Sequence, residues 1–195
     1  YVNGMDYVTN YKIEMAWLGV DSVNIRSYKD LRILRDEMVS CDNISKKSVK
    51  EFAEQPSKFN DEWLNEIVTD IHDRVTSKGN YRRSDMHLIV KKYFEDLYGA
   101  FEGVYKALKN NGRLVIVIGD SLIAGTYIPT DLLLARMCEQ IGFNVEDIEI
   151  ARDRRSGQRR DFKLRESIVT LIKGEPQKKP KILNDFFQIR GDFPT

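Results

Sequence analysis

The sequence predicts an α/β protein: part of an open sheet, with a helical insertion placed on its outside. Three observations carry that expectation. Residues 114–118 are five consecutive aliphatics, the composition of a strand covered by helices on both faces, so Arg113 to Ile118 reads as a central parallel strand. Before it, Val90, Phe94, Leu97, Phe101, Val104 and Leu108 recur at spacings of four, three, four, three and four, which is one face of a long helix. After it, Phe143 to Ala151 and Glu166 to Lys173 read as two strands. Their connection has no room for a crossover helix, which favours an antiparallel hairpin.

Composition narrows the class without naming a function. A chain of 195 residues with 42% hydrophobic residues can bury one sizeable core. Lys and Arg number 31 against 30 Asp and Glu, so only a local cluster of charge can point to nucleic acid. Cys41 and Cys138 are too few for a disulfide framework or a cysteine zinc site, and no leader or long apolar run appears. A reducing cytoplasm with no membrane partner is the expectation. The opening Tyr-Val-Asn-Gly, without an initiating Met, suggests a piece of a longer protein.

Taken in order, residues 1–19 read as a loop followed by a helix carrying Tyr11, Met15 and Leu18 and stopping at Gly19. Residues 20–84 are densely charged with scattered apolar positions, read as an insertion of several helices. Leu31, Leu34 and Met38 form one stripe; Trp63, Ile67 and Ile71, with Leu64, Val68 and Val75 beside them, form another. Polar runs at 43–48 and 76–84 mark links. Residues 85–173 hold the long helix, the central strand, a loop from Ser121 to Pro129, a helix with Thr130 as N-cap and Gly142 as stop, and the final hairpin. Residues 174–195 form a tail.

The order helix, aliphatic strand, helix ending in Gly-Phe, strand, basic connection and strand resembles the second half of a Rossmann-like S-adenosylmethionine-dependent methyltransferase, whose last strand is inserted antiparallel. Residues 107–115 (Ala-Leu-Lys-Asn-Asn-Gly-Arg-Leu-Val) resemble that family's approach to its fifth strand, and residues 164–169 (Leu-Arg-Glu-Ser-Ile-Val) the entry to its last. At the front, Tyr1 followed by Val-Asn-Gly-Met-Asp-Tyr and a helix finishing Trp17-Leu18-Gly19 is similar to bacterial amino-directed DNA methyltransferases of the Pro-Pro-Tyr type.

That resemblance implies an activity: methyl transfer from S-adenosylmethionine to the exocyclic amine of adenine or cytosine in DNA, within a restriction-modification system. In the family the base is flipped out and held against an aromatic face, so that its nitrogen can attack the methyl group. Tyr1 would be that face and the catalytic residue. The family's glycine-rich cofactor loop has no counterpart in the chain. The cofactor and the rest of the pocket would therefore come from a missing N-terminal half, and the chain alone would be inactive. Its partners would be DNA, that half and, through the exposed half-sheet, a second copy, unless the helical insertion covers the edge.

Each candidate site has a bland reading beside it. Asp6 could line the target pocket or shape its loop; Tyr7 reads as packing. Gly119, Asp120 and Ser121 lie at a strand's carboxyl end, where ligands gather in α/β sheets, although a polar turn is common there. Arg152, Arg154, Arg155, Arg159 and Arg160 crowd nine residues around Ser156-Gly157. They form either a solvated tip or a clamp on DNA phosphates. Lys163 and Arg165 could extend the clamp or pair with Glu166. His72 and His87 lack ligand-spaced partners, so no metal is expected. Cys41, Cys138, Trp17 and Trp63 read as packing residues. The competing readings are a non-catalytic binding or docking module and an RNA methyltransferase.

Overall fold

The computed structural model describes residues 2, 6–17, 27–79, 81–156 and 162–175. The Tyr1, Arg159 and Arg160 candidates and the tail beyond residue 175 lie outside them, as does Leu18-Gly19. The chain divides into two compact units, residues 1–99 with 121–128 and residues 100–120 with 129–195.

The first unit is helical. Helix α1 (Tyr7–Asn10) and α2 (Lys12–Trp17) are separated by a bend at Tyr11. Asp6 caps α1 by accepting from Thr9 N at 3.0 Å, the ordinary use of a short carboxylate at a helix start. Helices α3 (Tyr28–Glu37), α4 (Lys46–Ala53) and α5 (Glu62–Lys78) start on the side chains of Ser27, Ser45 and Asp61. The Ser45 cap starts α4 within the expected polar link at 43–48. Helix α5 runs through Thr76 to a left-handed Gly79.

Helix α6 (Met86–Ala107) is the predicted long helix; its residues to Gly99 count with the first unit and the rest with the second. Phe59 and Phe94 are fully buried with ring centroids 6.2 Å apart, and Ile71, Met86, Ile89 and Val90 complete that core. The expected loop after the central strand is instead a hairpin, β2 (Ser121–Ile123) and β3 (Thr126–Ile128). Ala124 and Gly125 at positive φ make the turn. Five of those six strand residues are buried, and burial of an apolar segment requires its backbone groups to be paired.

The second unit is a three-stranded antiparallel sheet with α7 (Thr130–Ile141) against it. Strand β5 (Lys163–Ile172) lies between β1 (Arg113–Gly119) and β4 (Asn144–Arg155). The hairpin expected of the last two strands is present, and the last strand in sequence occupies the middle position. Both hairpin strands run further than their aliphatic segments, so Arg152–Arg155 and Lys163–Arg165 of the basic connection are strand and not loop.

Alternation assigns the faces. Ile116, Val169 and Ile148 share one face through the register, as do Leu114, Leu171 and Val145, and α7 contacts all three strands. Helix α7 buries nearly its whole length and ends at Gly142, φ 116°, where a Cβ would meet the Tyr105 hydroxyl at 3.1 Å.

Strand β1 departs from expectation. Among the described residues it is an edge strand paired only antiparallel, and Val115 and Val117 are 58% and 66% exposed. An unbroken aliphatic run signals apolar neighbours on both faces, but here β5 and α7 supply only one side.

Candidate functional site

The carboxyl end of β1 is where the sequence placed Gly119, Asp120 and Ser121. All three are buried, Asp120 completely. Asp120 Oδ1 accepts from the backbone N of Thr130, the first residue of α7, at 3.1 Å, and Oδ2 accepts from Arg165 Nε at 3.0 Å. Its backbone N donates to Arg165 O at 2.9 Å, and its carbonyl accepts from Arg154 Nη2. Thr130 is thus the first helical residue and not the cap; the free N–H at the start of α7 is met by a carboxylate ten residues earlier.

Arg165 continues the network. Its Nη2 donates to Asp131 Oδ1 at 3.1 Å, and Asp131 Oδ2 accepts from Ser167 Oγ at 2.7 Å. Both aspartate side chains are 0% exposed and Arg165 is 15% exposed. One guanidinium therefore balances two buried carboxylates, while a hydroxyl and two backbone N–H groups, of Thr130 and Leu132, meet the remaining acceptor demand. The arrangement fastens the tip of β1 to the start of α7.

The contacts of Arg165 run to Asp120 and Asp131, on the side turned away from Glu166. The signal for this was the pleat. Arg165 and Ser167 are two apart and share the face turned to α7, whereas Glu166 points the other way beside Gly119 and Arg152.

The arginines separate by environment. Arg152 is exposed and pairs with Glu166. Arg154 is half-buried and holds the Asp120 carbonyl. Arg155 is exposed at the end of β4, opposite Lys163. Arg152, Arg154 and Arg155 all stand on a strand, whose pleat puts Arg152 and Arg154 on one face and Arg155 on the other.

In the first unit Asp6 is 8% exposed and spoken for. Besides capping α1 it accepts from Thr9 Oγ1 at 2.8 Å, Arg35 Nη1 at 3.2 Å and, at 3.4 Å, Asn43 Nδ2. Burial alone would raise its pKa; the bonds from Thr9 and Arg35 outweigh burial and hold it below the usual carboxylate value. Cys41 and Cys138 are buried, and burial pushes the Cys138 thiol up to about 12, the state of an inert packing residue.

His72 and His87, which looked unrelated in sequence, meet edge to face with centroids 4.6 Å apart. Burial first, and then His72, lowers the His87 pKa. Among the described residues no group of three His, Cys, Asp or Glu could hold a metal ion. No helix among them is long and apolar enough to cross a membrane. Trp63 is half-buried on α5, but Trp17 is 89% exposed and is not a core residue.

A strand tip running into a helix start is the usual place for a ligand in an α/β sheet. Here β1 runs into a hairpin, and the start of α7 is filled by Asp120.

The class defined so far is an α/β chain whose antiparallel sheet carries its last strand in the middle. Comparison with known proteins adds the particulars. The chain is 29% identical over 150 residues to the Type II methyltransferase M.AvaI of Nostoc sp. (strain PCC 7120), a match covering 76% of this chain. Against the Type II methyltransferase M.BsoBI of Geobacillus stearothermophilus it is 28% identical over 157 residues, or 73% of this chain. The chain spans about 30% of the length of these curated relatives. No family model and no solved structure matches it.

Proposed function

We propose that the chain is one part of a bacterial DNA methyltransferase that transfers a methyl group from S-adenosylmethionine to an exocyclic amine of adenine or cytosine in a restriction-modification system. The observation that carries this reading is the match of three quarters of the chain to two Type II methyltransferases. The middle position of the last strand agrees with the Rossmann-like methyltransferase sheet that the sequence resembles.

In this reading the chain contributes one side of the target pocket, with Tyr1 as the base-stacking face. Asp6 is a positioning residue. Its cap and its pair with Arg35 set the start of α1 six residues after Tyr1. Asp120 likewise positions Gly119 and Ser121 at the strand tip by holding the start of α7. Arg152 and Arg155, with Arg159 and Arg160, contact DNA phosphates, while Arg154 is held by the Asp120 carbonyl. The cofactor-binding half is a separate polypeptide or the remainder of a longer chain, acting in the cytoplasm.

A second reading is a non-catalytic module that keeps half the fold, since the glycine-rich loop that the resemblance implies has no counterpart in the sequence. Calorimetric titration of S-adenosylmethionine separates the two. It is made into this chain alone and into the chain joined to the polypeptide that adjoins it in its own gene. Binding only by the joined form is the expected result. Binding by the chain alone would overturn the division of labour, and no binding by either form would leave the non-catalytic module. Labelled methyl transfer to duplex DNA by the joined form then tells adenine from cytosine.

A further inference from the structure

The ladder of β4 and β5 outruns its third strand. Strand β1 stops at Gly119, opposite Glu166, while β4 and β5 stay paired through Arg154 with Leu164 and Arg155 with Lys163. Past the tip of β1 the sheet is therefore a two-stranded ribbon among the described residues.

Two cations stand at the last register position of that ribbon, and the ladder holds them close. Ser156 N donates to Phe162 O at 3.0 Å, so the position beyond them is a hydrogen-bonded pair. Such pairs alternate along an antiparallel ladder. Arg155 and Lys163 are thus a non-hydrogen-bonded pair, the kind in which side chains approach most closely. Like charges placed directly opposite destabilise a sheet.

The chain does little to offset this repulsion. Arg155 is exposed, and among the described residues no hydrogen bond or ion pair reaches its side chain. Lys163 has Asp153 at 3.9 Å on the same face, but their side chains are 80% and 59% exposed, and such pairs contribute least. The other described arginines of the ribbon have partners: Arg152 has Glu166, Arg154 the Asp120 carbonyl, and Arg165 both Asp120 and Asp131. Two surplus cations at closest approach break a local rule of sheet stability, and such breaks mark functional positions.

We propose that Arg155 and Lys163 together hold one phosphate of a DNA strand, the guanidinium as a planar fork and the ammonium as a point charge. An anion between them replaces one repulsion by two attractions. The proposal rests on the reading given under Proposed function and deepens it: Lys163 becomes a DNA contact, and it shares its phosphate with Arg155. Duplex DNA is the source of phosphate because it is the substrate in that reading.

The test is the salt dependence of duplex binding, followed by fluorescence anisotropy from about 50 to 200 mM salt. It uses the chain joined to the polypeptide adjoining it in its gene. Each phosphate neutralised adds about 0.9 to the steepness of log affinity against log salt. Arg155→Gln and Lys163→Gln should each weaken binding several-fold, and the double variant should flatten the slope by about one and not by about two. Lys163→Glu should move two readouts in opposite directions. Its carboxylate faces Arg155 across the ladder, so the unfolding midpoint should rise while duplex binding weakens by roughly tenfold.

Absence of duplex binding, wild-type affinity in every variant, or a lower unfolding midpoint in Lys163→Glu would overturn the proposal. A slope flattened by about two in the double variant would replace the shared phosphate with two separate ones. Tighter binding of single-stranded RNA, lost in the same variants, would replace DNA with RNA. Protection from unfolding by inorganic phosphate at matched ionic strength, with duplex binding the same in all variants, would replace the strand with a free anion. Methyl transfer keeps the two readings apart. Transfer by the joined protein with variant-insensitive binding sinks the phosphate site alone, whereas variant-sensitive binding without transfer sinks the methyltransferase reading and leaves the site.

Discussion

At the scale of single residues, Arg165 bears a heavy electrostatic demand in the second unit, because its guanidinium reaches two fully buried carboxylates. Replacing it by leucine removes that positive charge from beside Asp120 and Asp131. Breaking such a pair from one side costs on the order of 3–5 kcal/mol. Urea unfolding should therefore show a large drop in midpoint for Arg165→Leu and almost none for Arg155→Leu, whose side chain is exposed. Equal drops would mean that the network contributes no more than a surface arginine.

His87 makes a prediction in pH. Its folded pKa lies below the ordinary value of about 6.5, so the unfolded chain takes up a proton first as pH falls. The contribution is intact above that ordinary value and is lost as pH drops through it toward the lower folded value. His87→Phe should flatten the stability profile in this window. Asp6 acts in a separate window: its lowered pKa gives stability that persists above the unfolded carboxylate value of about 3.9 and disappears only below it. A thermal-melting series from pH 8 to pH 3 on both proteins checks the two windows together.

At the scale of elements, the edge of β1 can be specified atom by atom. Lys173 N donates to Gly112 O at one end of the ladder and Asp120 N to Arg165 O at the other, both at 2.9 Å. Hydrogen-bonded pairs alternate along an antiparallel ladder, so Leu114, Ile116 and Ile118 face β5. Arg113, Val115, Val117 and Gly119 turn their N–H and C=O groups to the other side, where no strand is present among the described residues. Val117→Pro removes an outward N–H and an exposed side chain, so the chain should keep its fold. Ile116→Pro removes a bond to Val169 and should lose on the order of 1–3 kcal/mol from that bond alone. Circular dichroism melts of the two variants decide the phase, and a greater loss for Val117→Pro would reverse it.

At the scale of the whole chain, what could be read from the sequence was whatever depends on near neighbours. Helix α6 followed from the spacing of its apolar residues, because a helix buries one stripe whatever it packs on. The stop of α7 followed from Gly142, because only glycine takes that backbone angle cheaply. The antiparallel hairpin of β4 and β5 followed from the length of its connection.

The partners of charged side chains were not legible in this way. Arg165 stands next to Glu166, yet it binds Asp120 and Asp131, 45 and 34 residues away, because the pleat turns neighbours to opposite faces. Arg154 looked like one of five equivalent arginines until the fold put the Asp120 carbonyl beside it. Trp17 looked like core because its spacing is helical, but periodicity reports which residues share a face and not whether anything covers it. Local spacing thus determined the elements and their order. Which buried charges meet, and which apolar faces remain open, only the tertiary structure decided, since both depend on what distant segments bring to the same place.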